Sequence, residues 1–309
     1  MELPTSLMLS PAQNSRKLRC RNSPPRRPVV AHSLGAVILP PGPPRPHPAT
    51  VTAVADEQFR DPRLAEIHDV LDGDRDDLAA YLAIAEELGA RRVLDVGCGT
   101  GTLALMLAER GHDVIGVDPA GASLAVARAK AGARCVRWID GDATAVRTTD
   151  RDLALMTANV AQAIADPREW DATLRAVHAA LRPGGHLVFE TRDPAARGWL
   201  RWNRHATGRT TCLPGGEAVT SRVEVTAIDW PLVTIRWTWQ FTSDGATLTS
   251  DSTLRFRGRD EVVADLGRAG FGVCEVRGAP DRPRAELVFL ARRVEPGRAG
   301  VTGRRPPVP

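Results

Sequence analysis

Residues 93–102 read V-L-D-V-G-C-G-T-G-T, a short apolar run carrying Asp95 that leads straight into Gly97, Gly99 and Gly101. A strand that delivers three glycines into a tight turn lets a ligand approach the backbone where a Cβ would obstruct it. A helix beginning directly after Gly101 presents unpaired N–H groups at the same place. Further on, the stretch Asp113–Val117 ends in Asp118, an acid placed to accept hydrogen bonds from the two vicinal hydroxyls of a ribose. A packed turn and a free surface carboxylate are the plain alternatives, but glycine turn and acid together are far more specific for a nucleotide-like ligand than either alone. The dinucleotide fingerprint would put its third glycine at 102, where this chain has Thr102, and that departure argues against a nicotinamide oxidoreductase.

Such a loop needs a sheet beneath it. Leu78, Leu82, Ala85 and Leu88 recur at helical spacing before the stop at Gly89, so a helix precedes the first strand. The strand Val93–Val96, the helix Leu103–Glu109, the strand Asp113–Val117, a short helix near Ser123–Lys130 and strands Arg134–Ile139 and Asp152–Met156 follow in alternation. Trp170, Leu174, Val177 and Leu181 line one side of a further helix that Pro183 ends, and the turn Gly184–Gly185 opens the strand His186–Glu190. His178 is expected on the exposed side of that helix. Strands alternating with helices predict an α/β fold, a seven-stranded, mostly parallel, doubly wound sheet whose last two strands are Phe271–Val276 and Glu286–Ala291. From Ala218 to Phe256 the pattern turns to strand alone. Val223, Val225 and Ala227 are expected on one face, Ile235, Trp237 and Trp239 alternate with polar residues, and Asp244-Gly245 signals a hairpin. This predicts an antiparallel β-rich insert after the fifth strand, at about residues 200–258, within a domain spanning 56–295.

The chain has 309 residues and a net charge of +4. Residues 1–55 hold six arginines and one lysine against a single acid, and residues 296–309 hold three arginines and no acid. The body between is therefore acidic, which weighs against nucleic acid as a partner. Ten prolines between Pro11 and Pro48 make the first 55 residues a disordered tail in this reading, as are residues 296–309. Five scattered cysteines without a CxxC pair argue against a disulfide framework and fit the cytoplasm. No apolar run reaches the roughly 18 residues of a membrane helix. His68, His178 and His186 show no metal-ligand spacing, so no metal is expected.

The glycine segment, with Asp118, resembles the class I S-adenosylmethionine-dependent methyltransferases, and its G-C-G-T-G form is similar to their small-molecule members. The resemblance extends through I-D-G-D-A-T at 139–144 and L-R-P-G-G-H-L-V-F-E at 181–190, over roughly residues 60–291 apart from the insert. It implies S-adenosyl-L-methionine as cofactor, with Asp95, Gly97 and Gly99 holding its amino-acid end beside Gly101. It further implies Asp118 on the ribose, Asp142 on the adenine amino group and the Ala143 backbone on the ring nitrogen. The chain departs from catechol-type relatives in carrying Asn159 and Gln162 where those have metal-binding carboxylates, and it lacks the N/D-P-P-Y motif of DNA and protein amine methylases.

A methyl acceptor belongs beyond the carboxyl ends of the fourth and fifth strands, which makes Asn159, Arg192, Trp199 and Trp202 candidate acceptor contacts. Packing and ion pairing are the competing roles for the tryptophans and the arginine. Tyr81, the only tyrosine, is placed to close over the cofactor. No catalytic residue can be read, because the cofactor brings the activated group and an amine acceptor needs little help, whereas a hydroxyl is helped by a base. Methyl transfer to a small molecule by a monomer or homodimer is the leading expectation. A methyltransferase acting on RNA or protein, with Arg222, Arg236 and Arg255 of the insert forming one basic stripe, is an alternative, as is a non-catalytic S-adenosylmethionine-binding protein.

Overall fold

The computed structural model describes residues 55–282 and 284–294. The proline-rich segment and the last residues of the chain lie outside the described residues. Among those described, no helix is long and apolar enough to cross a membrane.

Two short helices open the described residues, α1 (Glu57–Arg60) and α2 (Pro62–Asp72), followed by α3 (Ala79–Glu87). Asp61 caps α2 by accepting from the Leu64 N–H at 3.1 Å, with Pro62 in the first turn where its missing N–H costs nothing. The alternation then runs β1 (Arg92–Val96), α4 (Thr102–Glu109), β2 (Asp113–Asp118), α5 (Gly121–Ala129), β3 (Val136–Asp140), β4 (Arg151–Met156), α6 (Val160–Ala163), α7 (Pro167–Ala180) and β5 (Leu181–Arg192). After the insert come α8 (Arg259–Arg268), β10 (Phe271–Gly278) and β11 (Glu286–Arg293).

The sheet order is β10-β11-β5-β4-β1-β2-β3, with β11 antiparallel to both its neighbours and the rest parallel. Alternate residues of each strand face opposite layers. Leu94, Val96, Met156, Leu187 and Phe189 pack against Trp170, Leu174 and Val177 of α7 and Val262 and Leu266 of α8. Val93, Leu155, Val188 and Val288 pack on the other face, against Tyr81, Leu82, Leu103 and Leu107 of α3 and α4. That parity sends Asp95, Glu190, Arg192 and Glu286 to the α3–α4 face, at the carboxyl end of the sheet or beside it. Chain order reverses on either side of β1, which opens the crevice where ligands of such sheets bind.

The strand β5 is longer than its sequence pattern, because Leu181–Gly185 already runs beside β4, pairing Arg151 with Leu181. His178 is not on an exposed face: its ring meets Phe271 edge-on at 5.2 Å, and a Cβ on Gly270 would lie 2.8 Å from its Nε2. Packing against β10, which no local pattern encodes, pulls it inward.

The insert forms a four-stranded antiparallel sheet, β6 (Arg209–Cys212), β7 (Ala218–Asp229), β8 (Leu232–Phe241) and β9 (Thr247–Arg255). A bulge between Val225 and Ala227 breaks the expected shared face of Val223, Val225 and Ala227, and Ala227 is exposed. The apolar face covers two neighbours. Val219, Trp239 and Phe241 take up Leu64, Ile67, Val70 and Leu71 of α2, while Val223, Val233, Ile235 and Phe256 enclose Trp199. Arg257, just past β9, donates to the carbonyls of Ala161 and Ile164 at 2.7 Å each and lies over the Trp170 ring. The insert therefore stands at the carboxyl ends of β4 and β5, supported from both sides.

Candidate functional site

Gly97, Gly99 and Gly101 all have positive φ, at +72°, +54° and +79°, a region that disfavours any side chain. Their surroundings differ. A Cβ on Gly97 would lie 2.5 Å from a Val160 methyl, and one on Gly101 would collide with Trp138 and approach Ala127 at 3.0 Å. Gly99 alone has nothing within 4 Å on that side. Two of the three glycines thus admit the neighbouring side chains of α6 and β3, and one faces open space. At Gly97 and Gly101 the absent Cβ makes room for Val160 and Trp138, which leaves their backbone to face a ligand.

Asp95 is 1 % exposed and its Oδ2 has no hydrogen-bond partner in the protein. Burial and the like charge of Asp118 push its carboxyl up to about 7, with Arg75 opposing. Asp118 accepts from the Gly99 N–H and the Ala120 N–H, both at 2.8 Å. Two of its carboxylate lone pairs remain for a ligand. Burial raises its pKa against the pull of those two bonds. Asp142, on the loop after β3, is exposed and caps the turn Ala143–Ala145 through the Thr144 N–H, at 2.8 Å. These residues come from, or just past, the carboxyl ends of three neighbouring strands, β1, β2 and β3. Orphaned Asp95, Asp118 with acceptor capacity left and the opening at Gly99 fit a ligand that brings several donors, as the ammonium and ribose hydroxyls of S-adenosylmethionine would.

Helix α2 closes this side. Asp69 accepts from the Thr100 hydroxyl at 2.6 Å and pairs with Lys130 at 2.5 Å, tying α2 to the glycine loop and to the end of α5.

On the other side of the crevice the chain leaves β4 through Ala158 and Asn159, two consecutive residues with positive φ (56° and 61°). Asparagine tolerates that region, but alanine does not, so the rim carries strain of the kind found at functional sites, about 1–3 kcal/mol per residue. Buried polar groups hold it in place. The Asn159 N–H donates to Glu190 Oε1 at 2.9 Å, and Asn159 Nδ2 donates to Glu286 Oε1 at 3.1 Å. The Tyr81 hydroxyl donates to Glu190 Oε2. Arg282 pairs with Glu286 at 2.7 Å, and Arg192 approaches the same oxygen at 3.7 Å, donates to Gln162 Oε1 at 2.9 Å and stands 5.2 Å from the Trp202 ring. Asn159 Oδ1 and Gln162 Nε2 are buried without partners. Burial is the main cause lifting Glu190 to about 7, against bonds from Tyr81 and Asn159.

Of the sequence candidates, Asp95, Gly97, Gly99, Gly101, Asp118, Asp142 and Ala143 lie together on the β1–β3 side. Tyr81, Asn159 and Arg192 belong to one hydrogen-bonded cluster on the β4–β5 side, with Trp202 under Arg192. Trp199 packs edge-on against Phe256 at 4.7 Å within the insert's core, which is the packing role. Arg236 and Arg255 are paired with Asp251 and Glu261, so the basic stripe with Arg222 does not form. Sequence reading missed Glu190, Glu286, Arg282, Arg75 and Asp69. The F-E-T-R run at 189–192 was visible, but only tertiary pairing shows that Glu190 lies under Asn159 and meets Tyr81.

Residues 93–185 match the family model described as a methyltransferase domain. A demethylmenaquinone methyltransferase of Thermus thermophilus is 38% identical over 119 residues, 37% of this chain and 53% of that protein. A ubiquinone biosynthesis O-methyltransferase of Idiomarina loihiensis is 38% identical over 118 residues, 37% of this chain and 47% of that protein. The chain spans about half the length of these curated relatives. Among solved structures, the CcbJ methyltransferase of Streptomyces caelestis superposes with a TM-score of 0.63 at 19% identity, covering 79% of this chain and all of that one. That likeness is one of fold.

Proposed function

We propose that this chain, which carries a methyltransferase domain on a class I Rossmann-like scaffold, transfers a methyl group from S-adenosyl-L-methionine to a small-molecule acceptor by in-line displacement. Asp95 carries the reading: a carboxyl 1 % exposed, with Oδ2 unpartnered, is costly unless a ligand donates to it. Asp95, Gly97 and Gly99 would hold the amino-acid end, Asp118 the ribose, and Asp142 with the Ala143 backbone the adenine. Bound there, the cofactor supplies a methyl group activated on a positively charged sulfur. The chain's own task is to hold the acceptor nucleophile in line with that carbon and to keep water away. Asn159 and Arg192 stand at the correct end of the sheet for this. The insert, tied to α6 through Arg257 and to α2 through Leu64, roofs the same end.

Pairing of Arg204, Arg236 and Arg255 with acids favours a small acceptor over RNA. Calorimetry of the purified protein with S-adenosylmethionine and S-adenosylhomocysteine tests the cofactor. A panel of hydroxyl, amine and carboxylate compounds, scored by S-adenosylhomocysteine release, tests the transfer. Binding should be micromolar and release should require a panel member; no binding at millimolar cofactor would end the reading.

A further inference from the structure

We propose that Tyr81 and Glu190 accept the proton of the methyl acceptor, and that the acceptor is therefore a hydroxyl compound. The proposal rests on the methyl-transfer reading above. A neutral amine attacks through its lone pair and needs no prior deprotonation, whereas a hydroxyl gains nucleophilicity from a base in hydrogen-bonding reach.

Position supports the pair first. Glu190 accepts the backbone N–H of Asn159, so its carboxylate lies against the strained turn that ends β4, at the carboxyl end of the sheet. The Tyr81 hydroxyl takes the second oxygen of Glu190. With that donor bond made, the tyrosine oxygen retains its acceptor capacity for a proton from outside. The two residues are 5 % and 4 % exposed, and apolar side chains of similar size would fill the same space without the cost of burying a carboxylate.

Charge around the pair is arranged to leave Glu190 without a cation of its own. Arg282, from the turn before β11, and Arg192, from β5, are drawn to Glu286 at 2.7 and 3.7 Å. Arg75, ahead of α3, is paired with Asp77 at 2.9 Å. Glu286, across on β11, adds a like charge. Asp281 acts in the same sense on Tyr81. Burial first, then Glu286, raise Glu190 to about 7, although Tyr81, Asn159 and Arg282 pull it down. A carboxyl poised there exchanges a proton at neutral pH. Burial and the neighbouring Glu190 hold the Tyr81 hydroxyl far above its ordinary range, so the tyrosine passes its proton on only as it receives another.

The step balances. As the hydroxyl oxygen bonds to the methyl carbon, the carbon–sulfur bond breaks and its electron pair stays on sulfur, discharging the positive charge. The hydroxyl proton moves to the Tyr81 oxygen and the Tyr81 proton moves to Glu190, which later releases it to solvent.

Because Tyr81 is the only tyrosine, incorporation of 3-fluorotyrosine gives one fluorine resonance that reports the pair without any acceptor. That line should shift through a single step near pH 7 in the parent protein and stay flat there in Glu190→Gln. S-adenosylhomocysteine affinity should remain within threefold of the parent in Glu190→Gln and in Tyr81→Phe, which keeps the buried ring. With phenol, catechol and glucose as hydroxyl probes and aniline and benzylamine as amine probes, the parent should methylate a hydroxyl. Both variants should lose at least 100-fold in that turnover. In the parent, turnover should rise with pH through about 7, as Glu190 ionises. A fluorine line without the step, or with the same step in Glu190→Gln, overturns the proposal. So does a tenfold loss of S-adenosylhomocysteine affinity in either variant, methylation of amine probes alone, or hydroxyl turnover by Glu190→Gln within threefold of the parent. Failure of the parent to bind S-adenosylhomocysteine would instead end the methyl-transfer reading, which the fluorine titration does not depend on.

Discussion

The two walls of the crevice are built on opposite plans. The β1–β3 wall draws its polar groups from residues 95–143, each at the tip of a strand next to the loop that carries it. The β4–β5 wall ties residues 81, 159, 190, 192, 282 and 286 into one cluster, across α3, a strained turn, two strands and a turn. Local order suffices for the first, since a glycine at a tight turn and an acid at a strand end each do their work where the chain puts them. In the second, every side chain but Arg282 depends on a partner far away in sequence. Glu190 has meaning only beside Tyr81, and Asn159 only beside Glu286. A site for a fixed cofactor can be written as a short motif, whereas a site shaped for one acceptor is assembled from the tertiary fold.

The comparison can be broken first at Gly101. If its lack of a side chain serves packing, Gly101→Ala should cost about 2–4 kcal/mol of stability, from positive-φ strain and collision with Trp138. Urea unfolding measures this, and an unchanged midpoint would return Gly101 to the role of a bare ligand contact. Asp118→Ala comes next, weakening S-adenosylhomocysteine binding by about 1–3 kcal/mol, roughly 5- to 150-fold, through lost acceptor bonds. The fluorine signal of Tyr81 should not move, because the walls are separate; a shift there would show that they are coupled.

Arg257→Met attacks the other wall. Freeing the carbonyls of Ala161 and Ile164 should lower stability by about 1–2 kcal/mol and leave cofactor affinity within twofold, by melting and calorimetry on the same sample. Gly99→Ala should cost about 1–2 kcal/mol, less than Gly101→Ala, from positive-φ strain alone, since its Cβ meets nothing within 4 Å. Its cofactor affinity should nonetheless fall, as the methyl group occupies the opening. Equal stability losses at Gly99 and Gly101 would erase the distinction between the two glycines.

Much of the scaffold was legible for the same reason that the first wall was. Strand and helix periodicity along 78–190 follows from burying alternate or every third to fourth residue, and it places five strands of the main sheet, the apolar runs at 271–276 and 286–291 placing the other two. The insert was legible as sheet, through Trp237 and Trp239 and the turn at Asp244-Gly245, but β6 and the bulge after Val225 were not, because neither has a pattern of its own. His178 was assigned outward since its own helix could not reveal Phe271. Trp199 and Arg192 were equally ambiguous in sequence. The structure separates them by neighbours alone, an aromatic core for one and two polar partners with a ring beneath for the other.

Helix α2 has a consequence for how the molecule comes apart. One of its faces is buried on the insert through Leu64, Ile67, Val70 and Leu71, and Asp69 holds Thr100 and Lys130. Segments that share a buried face open together rather than one at a time. Amide protons of residues 63–72 should then exchange in step with those of β8, and fraying of the insert should reach the glycine loop although no residue of the insert's strands bonds to it. The helix makes a single cooperative unit of two parts that the chain writes more than a hundred residues apart.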